Sequence, residues 1–488
     1  MRLNRLMGWV CLFAVALAVV PYGHAIPPFS RQYGTSCSTC HVDFPKLNDF
    51  GKAFKDAGFK FPKADEDFIK IPPVMLGAPA QKEMWPRAIY PGNLPGMPPI
   101  GIRYATFFQV LSRNRNNFNT GEFIPRTDFQ NGTLSFFMAG NFGSDIAYWI
   151  DDDIAAGGSG AEGGMGDAYL KFVNIGRFLK LPKDALSLRI GQFELDLPFS
   201  PARSWNLSGW DIFEQPNVNV GATVNNGFTM DAAAQGIEFS GGHSYRGYHY
   251  SLAIVNQNTS GTTASGANVG PGGDAFFSDS NIKDLYGRFS YRFNLEKDAA
   301  SRNEIQAAGP TGPHDHTYLD VGAFGFYGRS VQRIDTFTAR EPFYRIGGNA
   351  SFNYRNFNLF GVYMYGRDRN QIFTGDGFTA APSVHFGGGF VEADYLALPW
   401  MMAIMRWDNV NSASDRLNGV DGAGFVSPFR STRQRITPGV QFLIHANIKA
   451  AFEYQIRPQQ VVTDPETGDI ITGPFRTNSA VAGLDFVF

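Results

Sequence analysis

Cysteine is scarce in this chain: three of 488 residues, Cys11, Cys37 and Cys40. So few thiols exclude the disulfide framework that holds many small secreted domains together, and they cannot supply a four-cysteine zinc site. An excess of charge of one sign is lacking too, 42 Lys and Arg standing against 44 Asp and Glu for a net charge of −2. Nothing electrostatic therefore argues for a nucleic-acid partner. Beyond the first two dozen residues there is no uninterrupted apolar run of the ~18 or more residues that a helical membrane span requires.

The one long apolar run, Gly8 to Val20, follows Arg2 and Arg5, and Gly23-His24-Ala25 then places small residues where a signal peptidase reads. That pattern predicts a secretory signal over residues 1–25, cleaved after Ala25. Cys11 lies inside its apolar core, which argues against a lipoprotein anchor.

The two remaining cysteines sit in Cys37-Ser38-Thr39-Cys40-His41, and C-x-x-C-H is the attachment sequence of a c-type haem. Two thiols at that spacing can form thioethers to the two vinyl groups of one porphyrin while the adjacent imidazole ligates the iron. A C-x-x-C pair is also read as a thioredoxin-like redox pair, a disulfide or half of a zinc site. Zinc lacks two further ligands at suitable spacing, and the flanks do not read as a βαβ unit. The expectation is one covalent haem c, held by Cys37 and Cys40 with His41 as the iron's axial ligand.

From residue 100 onward the chain consists of short segments that alternate apolar and polar. In Leu285 to Leu295, one parity carries Leu285, Phe289, Tyr291 and Phe293, and the other Arg288, Ser290 and Arg292; Ile448 to Arg457 alternates likewise. Successive side chains of a strand point to opposite faces, so these are strands with one greasy and one wet surface. Aromatic residues make up 15% of the chain, 45 of them Phe, ample for the aromatic girdles of an outer-membrane barrel.

Strands are predicted near 100–112, 132–141, 144–153, 165–175, 185–196, 231–241, 246–256, 282–294, 317–328, 341–355, 357–367, 385–397, 399–409, 433–443, 446–457 and 478–488, about sixteen, an even number as such barrels require. With the first strand running outward, connections at 140–144, 241–245, 355–356, 398–399 and 445 are short and periplasmic, and those on the other side are mostly long. The exception is Glu296 to His316, long on the periplasmic side. Ala480 to Phe488 alternates and ends on Phe488, like the assembly signal of outer-membrane proteins; pairing with Ile102–Leu111 would close the sheet and leave no edge in lipid. The predicted fold is thus all-β, a transmembrane outer-membrane β-barrel (residues 100–488) preceded by a small α-helical haem segment with a Pro-rich linker (26–99).

In the haem segment a helix is predicted from Pro45 to Ala57, with Leu47, Phe50, Phe54 and Ala57 on one stripe and Gly58 just past its end. That stripe reads either as core or as a surface for the porphyrin. Pro28 to Gly34, Cys37 to His41, Pro45, Leu47, Phe50-Gly51, Phe54-Lys55 and Gly58-Phe59 resemble the N-terminus of the fused monohaem cytochrome c and porin family, whose members include the outer-membrane iron oxidases of iron-oxidising bacteria. The resemblance covers about thirty residues closely and, beyond them, the order of one haem segment ahead of a barrel. It implies a haem in or at the mouth of the barrel that passes electrons from an extracellular donor, Fe(II) among the options, to a periplasmic c-type cytochrome. Whether the chain is an iron-oxidising oxidoreductase or an electron carrier stays open at this level.

A methionine is the usual sixth ligand of a high-potential carrier. Met97, in Pro95-Gly96-Met97-Pro98-Pro99, looks most like the ligand loops of small cytochromes, with Met75, Met84, a water or a histidine such as His243 as alternatives. Residues 71–99 also read simply as a linker. Gly158 to Gly163 matches G-x-G-x-x-G but lies in a glycine-rich loop without the strand and helix a nucleotide site needs. Asp151-Asp152-Asp153 reads as a solvated run or a cation site near the outer rim, and His314 with His316 is a weak pair. Arg189, Arg288, Arg292, Glu453 and Asp485 are expected to line a polar lumen. Two readings from other classes stand beside the electron conduit: a porin whose haem segment is a plug or docking module, and a soluble periplasmic cytochrome joined to an all-β domain.

Overall fold

The computed structural model describes residues 28–43, 45–61, 65–71, 74–75, 83–84, 93–94, 100–115, 123–142, 145–156, 165–201, 203–204, 206–214, 230, 233–256, 261–262, 268–269, 283–295, 317–334, 337–413, 432–445, 447–456, 461–463, 470–472 and 478–487. The predicted signal, the glycine-rich run at 158–163, His314, His316 and the stretch 296–316 lie outside them. Leu295 N and Thr317 O, which flank that last stretch, are hydrogen-bonded at 2.9 Å.

Alternation of apolar and polar residues produces sixteen antiparallel strands that close on themselves. They are β1 (Ile100–Arg115), β2 (Phe123–Phe142), β3 (Ile146–Ala156), β4 (Met165–Phe172), β5 (Ser187–Phe193), β6 (Ala234–His243), β7 (Arg246–Val255), β8 (Asp284–Asn294), β9 (Tyr318–Ile334), β10 (Phe337–Tyr354), β11 (Phe357–Phe373), β12 (Phe378–Leu398), β13 (Met401–Ser412), β14 (Thr432–His445), β15 (Ile448–Gln455) and β16 (Ser479–Val487). Each predicted segment overlaps one of these strands. Closure joins β16 to β1 in the register Ser479↔Leu111 to Val487↔Arg103.

Period two decides the two faces of the wall. In β13, Met405 and Trp407 are 52% and 43% exposed on the outside, while Arg406 and Asp408, of the other parity, are buried inside. The same inversion runs through β8, where Leu285, Phe289, Tyr291 and Phe293 face outward. A wall that is apolar outside and has no free edge satisfies every backbone group without water. The chain is an outer-membrane β-barrel protein, which removes the soluble-cytochrome reading.

The strands β9 to β12 are longer than predicted because they continue past the ~9–11 residues needed to cross the membrane. Their extra length lies at the end where β9 meets β10 and β11 meets β12. Connections at the opposite end, which also holds the start of β1 and the end of β16, include the tight turns at 355–356 and 399–400. That end is periplasmic by the usual asymmetry of such barrels.

Ahead of the barrel, residues 28–61 form a small unit with helices α1 (Pro28–Tyr33) and α2 (Asp49–Asp56). The predicted helix starts later than expected. Lys46–Leu47 pairs instead with His41–Asp43, and Asn48 caps α2, its side-chain oxygen accepting from Gly51 N at 2.9 Å. Asn is among the best N-caps because it satisfies an amide that has no helical partner. Gly58 ends the turn at φ +80°, as a glycine beyond a helix C-terminus does.

Candidate functional site

Asn48 organises the Cys37–His41 segment. Cys37–Thr39 is a single 3-10 turn, closed by Cys40 N donating to Cys37 O at 3.2 Å. The Asn48 side-chain amide donates to the carbonyls of Ser38 and Thr39 at 3.2 and 3.0 Å, and Asn48 N donates to Cys40 O at 2.9 Å. One residue thus caps α2 and ties that helix to the cysteine turn. The approach is so close that a Cβ on Gly51 would lie 2.1 Å from Cys40 O, so only glycine fits.

Cys37, Cys40 and His41 line one cavity of about 490 Å³, within the size range of cofactor sites. Phe29, Phe54 and Phe59 of the same segment, Phe137 and Trp149 of the barrel wall, and Arg203 complete much of its boundary. Aromatic packing holds the segment together: Tyr33 stacks on Phe61 with centroids 4.3 Å apart, and Phe29 meets Phe54 edge-on at 4.9 Å. Of the predicted stripe, Phe50 and Phe54 are core, while Leu47, ahead of α2, and Phe54 also line the cavity, as does Gly51.

Neither thiol is in a disulfide. Burial raises both, Cys40 to about 12, where the nearby Cys37 adds to the effect. They stay protonated at neutral pH, unlike a low-pKa redox pair. Burial pushes His41 down to about 4, against the backbone groups of Pro45 and Lys46. The ring is neutral. Its Nδ1 lies 3.1 Å from Pro45 O; a carbonyl only accepts, so the proton belongs on Nδ1 and the lone pair on Nε2.

The unit sits within the periplasmic end of the barrel, held by polar contacts to the inner wall. Asp49 pairs with Arg292 of β8, and Lys46 donates to Asp394 of β12 and Asn358 of β11 at 3.2 and 3.0 Å. Ser244 N and Oγ both donate to Asp56 at 2.9 Å, Asn141 donates to Phe59 O, and Arg31 to Ile100 O.

From the opposite end a second segment, residues 194–214, folds into the lumen. Leu207 N and Ser208 Oγ donate to Glu453 at 2.6 and 2.5 Å, Trp210 Nε1 donates to Glu392 at 2.8 Å, and Arg435 pairs with Asp211 at 2.9 Å. Arg203, ion-paired with Asp167 and Glu194 at 2.7 and 2.9 Å, lies 5.5 Å over the Trp149 ring. Trp149 in turn meets Phe59 of the N-terminal unit, centroids 5.6 Å apart. The cavity lies where unit, wall and inward segment come together.

The inward-facing polar residues expected from the sequence are in place, with protein partners added. Arg189, Arg288, Arg292, Glu453 and Asp485 do face inward, but each meets protein: Arg189 pairs with Glu238, Arg288 with Asp196, Arg292 with Asp49, and Asp485 with Arg103. Among the other predicted site residues, Met97 lies outside the described residues, and Met75 is described in its backbone alone. Met84 is 70% exposed and His243 lies beside Arg246 at a periplasmic turn; neither lines the cavity. Asp151, Asp152 and Asp153 border the cavity, with Asp151 accepting from Trp149 Nε1 at 3.1 Å.

No protein-family model and no curated protein matches the chain. Solved structures of similar fold include the outer membrane channel DcaP of Acinetobacter baumannii, with 11% identity over 80% of this chain and 96% of that one at a TM-score of 0.48. An anion-selective porin from Comamonas acidovorans gives 11% identity, 80% and 98% coverage and a TM-score of 0.47. OmpF of Salmonella typhi gives 12%, 80% and 97%, and 0.44.

Sequence reasoning missed Asn48, Arg203 and Trp149. Asn48 carried a signal, an N-cap residue followed by a helical run. Arg203 and Trp149 carried none, because their place at the cavity depends on a loop folding inward and on barrel closure.

Proposed function

We propose that the chain is an outer-membrane monohaem c-type cytochrome fused to a porin-like barrel, carrying electrons from an extracellular donor, Fe(II) being one of suitable chemistry, to a periplasmic c-type cytochrome. One observation carries this reading: both thiols and the imidazole of C-x-x-C-H line a single aromatic-walled cavity within the barrel. The residues fit the group. Cys37 and Cys40 would hold a haem c through thioethers, and His41, neutral with its proton directed at Pro45 O, offers the nitrogen an iron needs. Bound there, the haem would supply reversible uptake of a single electron. The protein's share is to exclude water with Phe29, Phe54, Phe59 and Trp149, to fix His41, and to hold the site inside a bilayer core ~25–30 Å thick, too wide for one efficient electron transfer.

The second reading, a porin with a plug, is favoured by the strand number, since barrels of sixteen strands enclose an aqueous channel. The two occupants of the lumen weigh against an open pore in the resting state. Protein produced with haem-attachment machinery and sealed into vesicles separates the readings. On the conduit reading it carries one covalent haem, and a membrane-impermeant external reductant changes its spectrum. Absence of covalent pigment, or a spectrum unmoved by the external reductant alongside solute flux that survives Cys37→Ser with Cys40→Ser, overturns it in favour of the channel.

A further inference from the structure

A cluster of arginines stands on the outer wall of the barrel just beyond its extracellular aromatic residues. On β9 the outward-facing Tyr327 is followed two residues on by Arg329; on β11 the outward Tyr363 and Tyr365 are followed by Arg367 and Arg369; on β10, Arg340 lies four residues nearer the tip than Tyr344. Tyr327, Tyr363 and Tyr365 are 48%, 64% and 39% exposed. Strand register brings the basic groups together: Arg329 is opposite Pro342 and Val331 opposite Arg340, which puts the two arginines on a diagonal, and Arg367 is opposite Tyr344. Diagonal neighbours on one face are within reach of long side chains. His385 of β12 adds to the edge, bonded to Tyr365 Oη at 2.7 Å.

No carboxylate neutralises these guanidinium groups among the described residues. On these strands Glu341 and Asp368 are fully buried, as is Asp284 of β8, and Asp320 of β9 lies at the opposite, periplasmic end of its strand. Arg367 Nη2 donates to Ser383 Oγ at 3.4 Å. Arginine side chains at such a density and without acids repel one another unless an anion lies between them.

Counting from the periplasmic end, β9 reaches Arg329 and β11 reaches Arg367 after the ~9–11 residues that cross a bilayer. The arginines therefore stand at headgroup level, directly above the aromatic belt that marks the interface, and continuous with the lipid-facing wall. We infer that Arg329, Arg340, Arg367 and Arg369 form a binding surface for the phosphate groups of an outer-leaflet glycolipid of the lipid A type. Guanidinium suits this ligand because its planar fork grips phosphate oxygens in pairs. This inference is independent of the electron-transfer reading.

The test uses the full-length protein and its Arg329→Gln, Arg340→Gln, Arg367→Gln, Arg369→Gln variant, both folded as judged by heat-modifiable gel mobility. These side chains point outward near the strand tips, away from the inner-wall contacts, so the closed sheet is expected to persist in the variant. Each is titrated in detergent with bisphosphorylated lipid A and with the same lipid stripped of its phosphates, and bound lipid is read by native mass spectrometry. The expected result is retention of the phosphorylated lipid by the parent protein, about tenfold or more weaker in the variant, with no difference between them for the stripped lipid. Equal retention by the variant, or equal binding of the stripped lipid by the parent, overturns the inference. Displacement of the lipid by excess inorganic phosphate would show a free-phosphate site and overturn the lipid assignment.

Discussion

Asp49, in the first turn of α2, forms a two-bond ion pair with Arg292 on the inner wall of β8, Nη1 to Oδ1 at 2.8 Å and Nη2 to Oδ2 at 2.7 Å. Arg292 is almost wholly buried, its guanidinium lying 3.5 Å from the Tyr318 ring centroid. The pair joins two parts of the chain 243 positions apart and fixes the N-terminal unit within the barrel.

Removing one partner leaves a buried charge without its counter-ion, which costs about 3–5 kcal/mol. Asp49→Ala is therefore expected to release the unit from the wall while the barrel stays closed. Limited proteolysis from the periplasmic side should cut within residues 28–61 many times faster than in the parent, since cleavage follows the open fraction. Unchanged cleavage would mean that Lys46 and Asp56 suffice as anchors.

Gly51 tests the cavity from the other side. Its Cβ would lie 2.1 Å from the Cys40 carbonyl oxygen and 2.9 Å from Leu47 Cδ2, and backbone cannot yield as a flexible side chain does. Gly51→Ala should cost at least the ~1–3 kcal/mol typical of overpacking and move α2 off the cysteine turn. Covalent haem per chain, measured after denaturation, is expected to fall sharply. Lys52→Ala, one residue along, should leave it unchanged.

The barrel was legible in the sequence because a two-residue period survives any loop length: the parity of Leu285, Phe289, Tyr291 and Phe293 alone gave their lipid-facing side, and the last strand's partner followed from the need to close the edge. Parity gave the inward direction of Arg292 and Glu453 equally well, but not what they would meet. That depends on two segments filling the lumen, and residues 194–214 carry no periodicity to reveal it. The helix start was misplaced because Pro45 and Leu47 fit both a helical stripe and the short hairpin that His41–Asp43 makes with Lys46–Leu47, and the Asn48 cap decides between them.

Lys55 gives the N-terminal unit a dependence on pH. Burial first, then the charges of Arg203 and Arg189, push its ammonium group down to about 8, against Asp196 and Glu194, which act the other way. The unfolded chain binds its proton up to about pH 10.5, so between about 8 and 10.5 the unfolded state holds more protons than the folded one, and stability rises with pH. The urea midpoint for release of the unit should increase across that window and level off above it. Lys55→Met, which keeps the length without the charge, should raise the midpoint below pH 8 and flatten the rise; a slope that persists in the variant would assign the effect elsewhere.

Trp210 holds the second closure of the lumen. Its ring stacks on Phe390 with centroids 4.7 Å apart and planes 9° from parallel, and its Nε1 donates to Glu392 at 2.8 Å. Trp210→Ala removes both contacts, a loss of about 3–5 kcal/mol for a buried ring, and should loosen residues 194–214 from the wall. The N-terminal unit enters from one end of the barrel and this segment from the other, so the closures act in series and either alone can block ions. In planar bilayers Asp49→Ala and Trp210→Ala should each conduct little, while the double variant should show a conductance well above the sum of the two. Near-additive conductance would mean that the closures are parallel partial obstructions, with open lumen beside each of them.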